Sequence, residues 1–156
     1  MKIDQSQKNN IQNKRAPFDY ELLEKFEAGI NLFGFEVKAV RMGHADLSGS
    51  YVKIIGAEAY LINAKIFPYE YSRPENYDLK RTRKLLMHKS EILNLKNKTE
   101  ATSLTIVPLK LYNTNRFIKL ELALAKPKKQ FDKRQTIKKR DQNRQLEEDL
   151  KNIKTF

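Results

Sequence analysis

A mainly β fold, a small closed barrel of antiparallel strands with two or three short helices and a basic C-terminal tail, is the class this sequence predicts. Three observations carry it. Apolar and polar residues alternate over two long stretches, Phe18–Leu32 and Phe117–Ala125, which is the period-two signature of strands buried on one face. Turn residues at Gly56-Ala57 and Asn113-Thr114-Asn115 each lie between two β-rich runs, which marks hairpins and therefore antiparallel pairing. From Lys126 to Arg144, nine Lys/Arg face only Asp132 and Asp141, a net of +7. A segment so charged buries too little apolar surface to offset its ordering entropy.

Composition narrows the functional classes. The chain has 156 residues, the size of one domain with appendages, and a formal charge of +12; such a field favours phosphate partners. Cysteine is absent, which excludes disulfides, thiolate zinc sites and cysteine nucleophiles. No apolar run reaches the roughly 18–20 residues of a membrane helix, and Met1–Asn13 lacks the apolar core of a secretory signal, so a soluble, cytoplasmic protein without a membrane partner is expected. His44 and His88 lack acidic partners at ligand spacing, so no metal is expected. Phosphate-binding glycine loops, serine elbows and paired carboxylates are missing too. Neither a cofactor nor catalysis is expected.

In chain order, residues 1–12 read as a flexible polar arm, 13–126 as the barrel and 127–156 as the tail. In the first strand, Phe18 to Leu32, even positions (Tyr20, Leu22, Phe26, Ala28, Ile30) point inward and odd ones outward, with Leu23 and Glu24 as exceptions. Gly34–Arg41 reads as a short helix that Gly43 ends in a left-handed cap. A hairpin follows, Tyr51–Ile55 and Tyr60–Phe67 about Gly56-Ala57, and Pro68 closes it. The next loop interleaves Tyr69, Tyr71 and Tyr77 with Arg73, Lys80, Arg81 and Arg83, as base stacking combined with phosphate binding requires. Lys84–Asn97 reads as a helix; alternatively Ser90 caps a later one and Leu85-Leu86-Met87 enters extended. The second hairpin joins Leu104–Tyr112 to Phe117–Ala125, with Ile118, Leu120, Leu122 and Leu124 on one face and Lys119, Glu121 and Ala123 on the other. Five or six strands of this length suit a barrel of OB type, a shape that repeatedly binds nucleic acid.

Seven strings in order along Asn13–Arg144 carry a resemblance. They are Asn13-Lys14-Arg15-Ala16; Phe26-Glu27-Ala28-Gly29-Ile30; Gly34-Phe35-Glu36-Val37-Lys38 with Arg41 and Gly43; Ser50-Tyr51-Val52; Arg81-Thr82-Arg83-Lys84-Leu85-Leu86; Val107-Pro108-Leu109-Lys110-Leu111-Tyr112; and Leu124-Ala125-Lys126 leading into Asp132-Lys133-Arg134 and Ile137-Lys138-Lys139-Arg140-Asp141. In these the chain resembles the small protein B family, the SsrA-binding proteins of bacterial trans-translation. The resemblance implies a monomeric barrel that binds the tRNA-like domain of transfer-messenger RNA and delivers it to a stalled ribosome. It implies further that the tail enters the empty messenger channel, reaches the small-subunit decoding centre and becomes helical there. Two departures stand out. The loop after the short helix is Met42-Gly43-His44-Ala45-Asp46 where the family has Ala-Gly-Lys-Ala-Asn, which removes up to two positive-charge equivalents. Pro127 replaces a glycine and stiffens the joint between barrel and tail.

By this likeness the RNA-binding residues are Asn13, Lys14, Arg15, Glu27, Arg41, Arg81, Arg83, Leu86 and Lys119. An outward carboxylate such as Glu27 accepts hydrogen bonds from base amino groups or 2′-hydroxyls; an arbitrary strand glutamate is merely exposed. Leu86 by itself reads as core, and Lys119 as a solvated charge. The ribosome-binding residues of the tail are Lys126, Lys128, Lys129, Asp132, Lys133, Arg134, Ile137, Lys138, Lys139, Arg140 and Arg144. A helix through this segment sets Leu146, Leu150 and Ile153 in a thin apolar stripe and is marginal in water until phosphates neutralise its cations.

Overall fold

Residues 10–68 and 74–154 are described by the computed structural model of the chain. Tyr69, Tyr71 and Arg73 lie outside the described residues, as do residues 1–9 of the expected arm and the side chains of Asp132 and Ile153. The elements are β1 (Ile11–Gln12), α1 (Ala16–Asp19), β2 (Tyr20–Ile30), α2 (Gly34–Arg41), β3 (Ala45–Asp46), β4 (Tyr51–Ile55), β5 (Glu58–Ile62), β6 (Lys65–Ile66), β7 (Arg83–Leu86), α3 (Lys89–Ala101), β8 (Thr105–Asn113), β9 (Ile118–Pro127) and α4 (Gln130–Lys154).

Neighbouring strands run β8-β4-β5-β7-β2-β9, and β9 pairs back onto β8, so six antiparallel strands close on themselves. The closure between β4 and β8 is short, a single register pair at Val52–Ile106, and it leaves part of the β8 edge open to a further strand. The fold is the OB-like barrel that the alternation and hairpins predict. β1 adds to β8 outside the ring, and β3 pairs with β6 in a separate ladder. These three strands have two residues each, too few for alternation to mark them.

Inside the ring the expected alternation holds. Ala28, Leu61, Leu85, Ile106, Leu111, Leu120, Leu122 and Leu124 are all at most 2% exposed, and each large side chain so buried contributes about 1.5–3 kcal/mol. The two residues that broke the pattern on β2 have a cause: register shifts between Leu22 and Glu24 against β9, a bulge that leaves Leu23 half exposed and adds twist to the strand. A second bulge, between Pro108 and Lys110 on β8, admits a proline that an unbroken ladder would reject. Ala123, expected to face outward, is buried as well. On that outer side Ala125 and Val107 pack with Ala16 of α1.

Three local expectations compare with the structure. α2 spans the expected residues, and Gly43 after it takes φ +81. The turn at Gly56-Ala57 joins Ile55 to Glu58 with Gly56 at φ +64. A helix beginning at Lys84 is incorrect: Arg83–Leu86 is a strand that pairs with both β5 and β2. The helix begins at Lys89, with His88 rather than Ser90 at the cap position. A short apolar run does not by itself separate strand from helix, and here pairing on both edges decides for strand.

The centre of the fold on the α2 side is ionic. Glu36, on the first turn of α2, and Arg83, on β7, both have fully buried side chains, and Nη2 of Arg83 lies 2.6 Å from Oε2 of Glu36. Arg83 also donates to the carbonyls of Ala64 (2.9 Å), Arg81 (2.9 Å) and Leu79 (3.1 Å) and to the Tyr77 hydroxyl (2.9 Å). Glu36 accepts from the Phe33 N–H (2.9 Å), the Tyr77 hydroxyl (2.8 Å) and Arg81. Burial alone would raise the Glu36 carboxyl, but the hydrogen bonds from Phe33, Arg81 and Tyr77 and the charge of Arg83 together hold it below its ordinary value. Burial and the same carboxylate push Tyr77 up to about 12.

Removing one partner leaves the other charge buried and uncompensated. Glu36→Ala is therefore expected to lower stability by about 3–5 kcal/mol, read from urea unfolding at pH 7. The lowered carboxyl also fixes the pH dependence: its stabilisation is complete above the ordinary glutamate range and disappears as the pH falls through the depressed value. Unfolding curves from pH 7 down to pH 3 check this; the variant should lose less stability over that interval than the parent.

Candidate nucleic-acid interface

The odd positions of β2 face away from the core, as the alternation requires. There Glu27 lies opposite Glu121 of β9, and Gly29 lies opposite Lys119, which in turn faces Tyr112 of β8. The Lys119 ammonium donates to Oε1 of Glu27 at 2.5 Å across the diagonal. The Tyr112 hydroxyl also donates to Glu27, and the ammonium of Lys110 sits 5.0 Å from the Tyr112 ring centroid. The hydrogen bonds from Lys119 and Tyr112 lower the Glu27 carboxyl, so it is anionic throughout the neutral range. Burial and then Glu27 raise Tyr112, which keeps its proton.

Leu86 completes this cluster, and glycine makes room for it. Gly29 pairs with Leu86, and a Cβ on Gly29 would stand 3.2 Å from that of Leu86. Leu86 is 58% exposed, so the core reading of this leucine is incorrect: β7 alternates, with Arg83 and Leu85 facing inward and Leu86 outward. Glu27, Gly29, Leu86, Met87, His88 and Lys119 line an open groove of about 710 Å³. It offers an anionic acceptor, a cation and an apolar surface side by side, the combination needed to read a base edge or a 2′-hydroxyl.

The other expected contacts divide. Lys14 and Arg15 are exposed before α1, and Arg41 is exposed at the end of α2. Arg81 is partly exposed, paired with Glu36, and lies 4.1 Å from the centroid of the Phe33 ring. Arg83 is a correction: its burial in the ionic centre removes it from any outer surface. Asn13 is another. It is 7% exposed, and its side chain donates to the Pro108 carbonyl at 2.9 Å, tying the chain start to the β8 bulge. Asp46, in the loop that departs from the family pattern, accepts the Ser48 N–H at 2.9 Å, and that bond is the main cause of its lowered carboxyl. Its role there is to close a turn.

The tail leaves β9 through Pro127, which still pairs with Tyr20, and forms α4. A segment expected to be loose in isolation is therefore helical here over Gln130–Lys154. Its start rests on α1. The Lys128 N–H donates to the Asp19 carbonyl (3.0 Å) and its ammonium to the Pro17 carbonyl (3.0 Å). Lys133 lies 3.5 Å from the Asp19 carboxylate, and Arg140 approaches the Phe18 ring to 5.9 Å. Lys126, Lys129, Arg134, Ile137, Lys138, Lys139 and Arg144 are exposed. Leu146 and Leu150 of the expected apolar stripe are 60% and 51% exposed.

Sequence reading missed Tyr112 and Glu36. Tyr112 had a signal in its place on β8, directly opposite Lys119 in the second hairpin. Glu36 had one in its spacing, three residues after the cap position of α2 and on the face of Ala39 and Val40.

Comparison with known proteins gives consistent results. The family model described as SmpB protein matches residues 10–152. The SsrA-binding protein of Malacoplasma penetrans is 48% identical over 141 residues, covering 90% of this chain and 97% of the relative. That of Carboxydothermus hydrogenoformans is 49% identical over 140 residues, covering 90% and 94%. A solved chain from a structure described as "tmRNA-SmpB: a journey to the center of the bacterial ribosome" superposes with a TM-score of 0.66 at 46% identity, over 78% of this chain and 86% of that one.

The electrostatics of the cluster are checkable without any ligand. Lys119→Ala removes the largest cause that lowers Glu27, so the Glu27 carboxyl should titrate at higher pH in the variant. A carbon-detected NMR titration of the two proteins measures the shift, while an unchanged amide spectrum elsewhere verifies the fold.

Proposed function

The chain belongs to the SmpB protein family, and from that membership we propose that it is an RNA-binding adaptor of trans-translation. It binds the tRNA-like domain of transfer-messenger RNA and delivers that RNA to stalled ribosomes. The observation that carries this reading is the extent of the family match, residues 10–152, which takes in the barrel and nearly all of the tail. A barrel likeness alone would support RNA binding in general; a match through the tail supports the particular partnership.

The barrel's share is selective binding. Glu27, Leu86 and Lys119 contact the folded RNA, with Lys14, Arg15, Arg41 and Arg81 on its backbone. The tail's share is the ribosome. Lys126, Lys128, Lys129, Asp132, Lys133, Arg134, Ile137, Lys138, Lys139, Arg140 and Arg144 enter the vacant messenger channel as a helix and occupy the decoding centre in place of a codon. In this reading the protein acts as a monomer in the cytoplasm, needs no cofactor and carries out no chemical step. The chain has no helix, among its described residues, that is long and apolar enough to cross a membrane.

Two outcomes test the division. Deletion of Pro127–Phe156 should leave binding to the tRNA-like domain nearly intact and abolish tagging of stalled nascent chains; loss of both activities together would overturn the two-part reading. Lys119→Ala should weaken RNA binding at fixed salt in a gel-shift titration, and lower the log–log salt slope by about 0.7–0.9 if the lysine meets a phosphate. A slope unchanged alongside weaker binding would instead place Lys119 on a base or on Glu27.

A further inference from the structure

Phe33 is 51% exposed although it stands between an ordered strand and an ordered helix. Its ring stacks on Phe35 with centroids 5.6 Å apart and an interplanar angle of 27°. Phe35 in turn meets Tyr77 edge-on at 4.9 Å. The guanidinium of Arg81 lies 4.1 Å from the Phe33 centroid, and Glu36, itself held by Arg83, binds that guanidinium. A flexible cation and an exposed ring are thus fixed to one another by the buried ionic centre. Space is open beside them, since a Cβ placed on the adjacent Gly34 would meet no atom within 4 Å.

The position of this pair in the barrel gives it a partner. The outward positions of β2 run Glu27, Gly29, and then, past the strand end, Asn31 and Phe33, both exposed. The Asn31 N–H donates to the Lys84 carbonyl at 3.0 Å, so β2 and β7 stay side by side beyond the Gly29–Leu86 pair. Four residues of chain keep Phe33 within about 13 Å of Gly29. We infer that Phe33, with Arg81 fixed upon it, is a stacking platform for an unpaired base of the RNA whose neighbouring nucleotides occupy the Glu27–Leu86–Lys119 groove. The part of the ring that Phe35 and Arg81 leave exposed accepts any base by stacking, and the adjacent guanidinium adds cation–π attraction and a donor for the phosphate. The inference rests on the RNA-binding role of the groove, and it assigns a second, separate contact.

The chain contains no tryptophan, which makes Phe33→Trp a single reporter. Titration of the full-length Phe33→Trp protein with the tRNA-like domain of transfer-messenger RNA should quench its emission with the same midpoint as binding. Phe33→Ala and Phe33→Leu should each weaken affinity by about 5- to 100-fold without changing the salt slope, while Phe33→Trp retains it. Unquenched tryptophan at saturation, or full affinity in Phe33→Leu, would overturn the platform. Lys119→Ala, measured in parallel, separates the two readings: if it binds normally while Phe33→Leu is impaired, the groove assignment fails and the stacking contact stands. Thermal unfolding of each variant identifies any loss that comes from misfolding, and the quenching arm then decides.

Discussion

The buried pair of Glu36 and Arg83 is the constraint on which the functional side of this barrel depends. Taking both charges out of water costs several kcal/mol each, and their attraction offsets this only where the remaining donors and acceptors are satisfied. Here they are satisfied with unusual completeness. Arg83 reaches three carbonyls and a hydroxyl besides its carboxylate, and those carbonyls belong to Ala64, Leu79 and Arg81. One side chain thereby fixes the segment after β5, the loop before β7 and the entry of β7 itself. Glu36 performs the same service for the start of α2 through the Phe33 N–H. An apolar pair of similar volume would fill the space but leave those carbonyls without donors, so specification of the local backbone, more than net stability, explains the ions.

That constraint also accounts for what the sequence did and did not disclose. Alternation is a local property, so β2, β9 and the two hairpins were legible from Phe18–Leu32, Phe117–Ala125 and the turn at Gly56. Glu36 and Arg83 are 47 residues apart, and nothing in spacing or composition joins them. Read locally, Arg83 is a cation in a polar, arginine-rich stretch and looks like surface. Asn13 misleads in the same way, because its partner is the Pro108 carbonyl at a bulge that no pattern announces. Leu86 errs in the other direction. A leucine between Leu85 and Met87 looks like core, and only the pairing of β7 with β2, which puts glycine beneath it, turns it outward.

The tail shows where composition speaks and where it stops. Its charge excludes a packed interior role, and most of its side chains are indeed exposed. Charge did not reveal that the first turns rest on α1, where two backbone carbonyls and the Asp19 carboxylate receive Lys128 and Lys133. Exposed ion pairs of this kind are weak, typically 0–1 kcal/mol. They set the direction in which α4 leaves the barrel without holding it firmly, and the same lysines can exchange α1 for phosphate at little cost. Pro127 fits that arrangement, since it removes a donor at the end of β9 and keeps Lys126 extended where the helix departs.

A carboxylate at the centre of this groove, on a chain of net charge +12, needs a physical reason, because it repels the phosphates that the basic residues attract. Glu27 has one in its hydrogen bonds. Lys119 and Tyr112 hold it ionised, and the bond from Lys119 turns its acceptor lone pairs toward the groove. Phosphates offer no donors; base amino groups and 2′-hydroxyls do. The residue therefore costs affinity for polyanions in general and returns it only to a ligand with a donor at the right place. In the proposed function, undirected attraction to the phosphates of the ribosome belongs to the exposed lysines and arginines of α4, and discrimination among RNAs belongs to the few groups clustered on the barrel. The two functions occupy different parts of the chain because one requires flexible, solvated charge and the other requires side chains whose positions the closed sheet has already fixed.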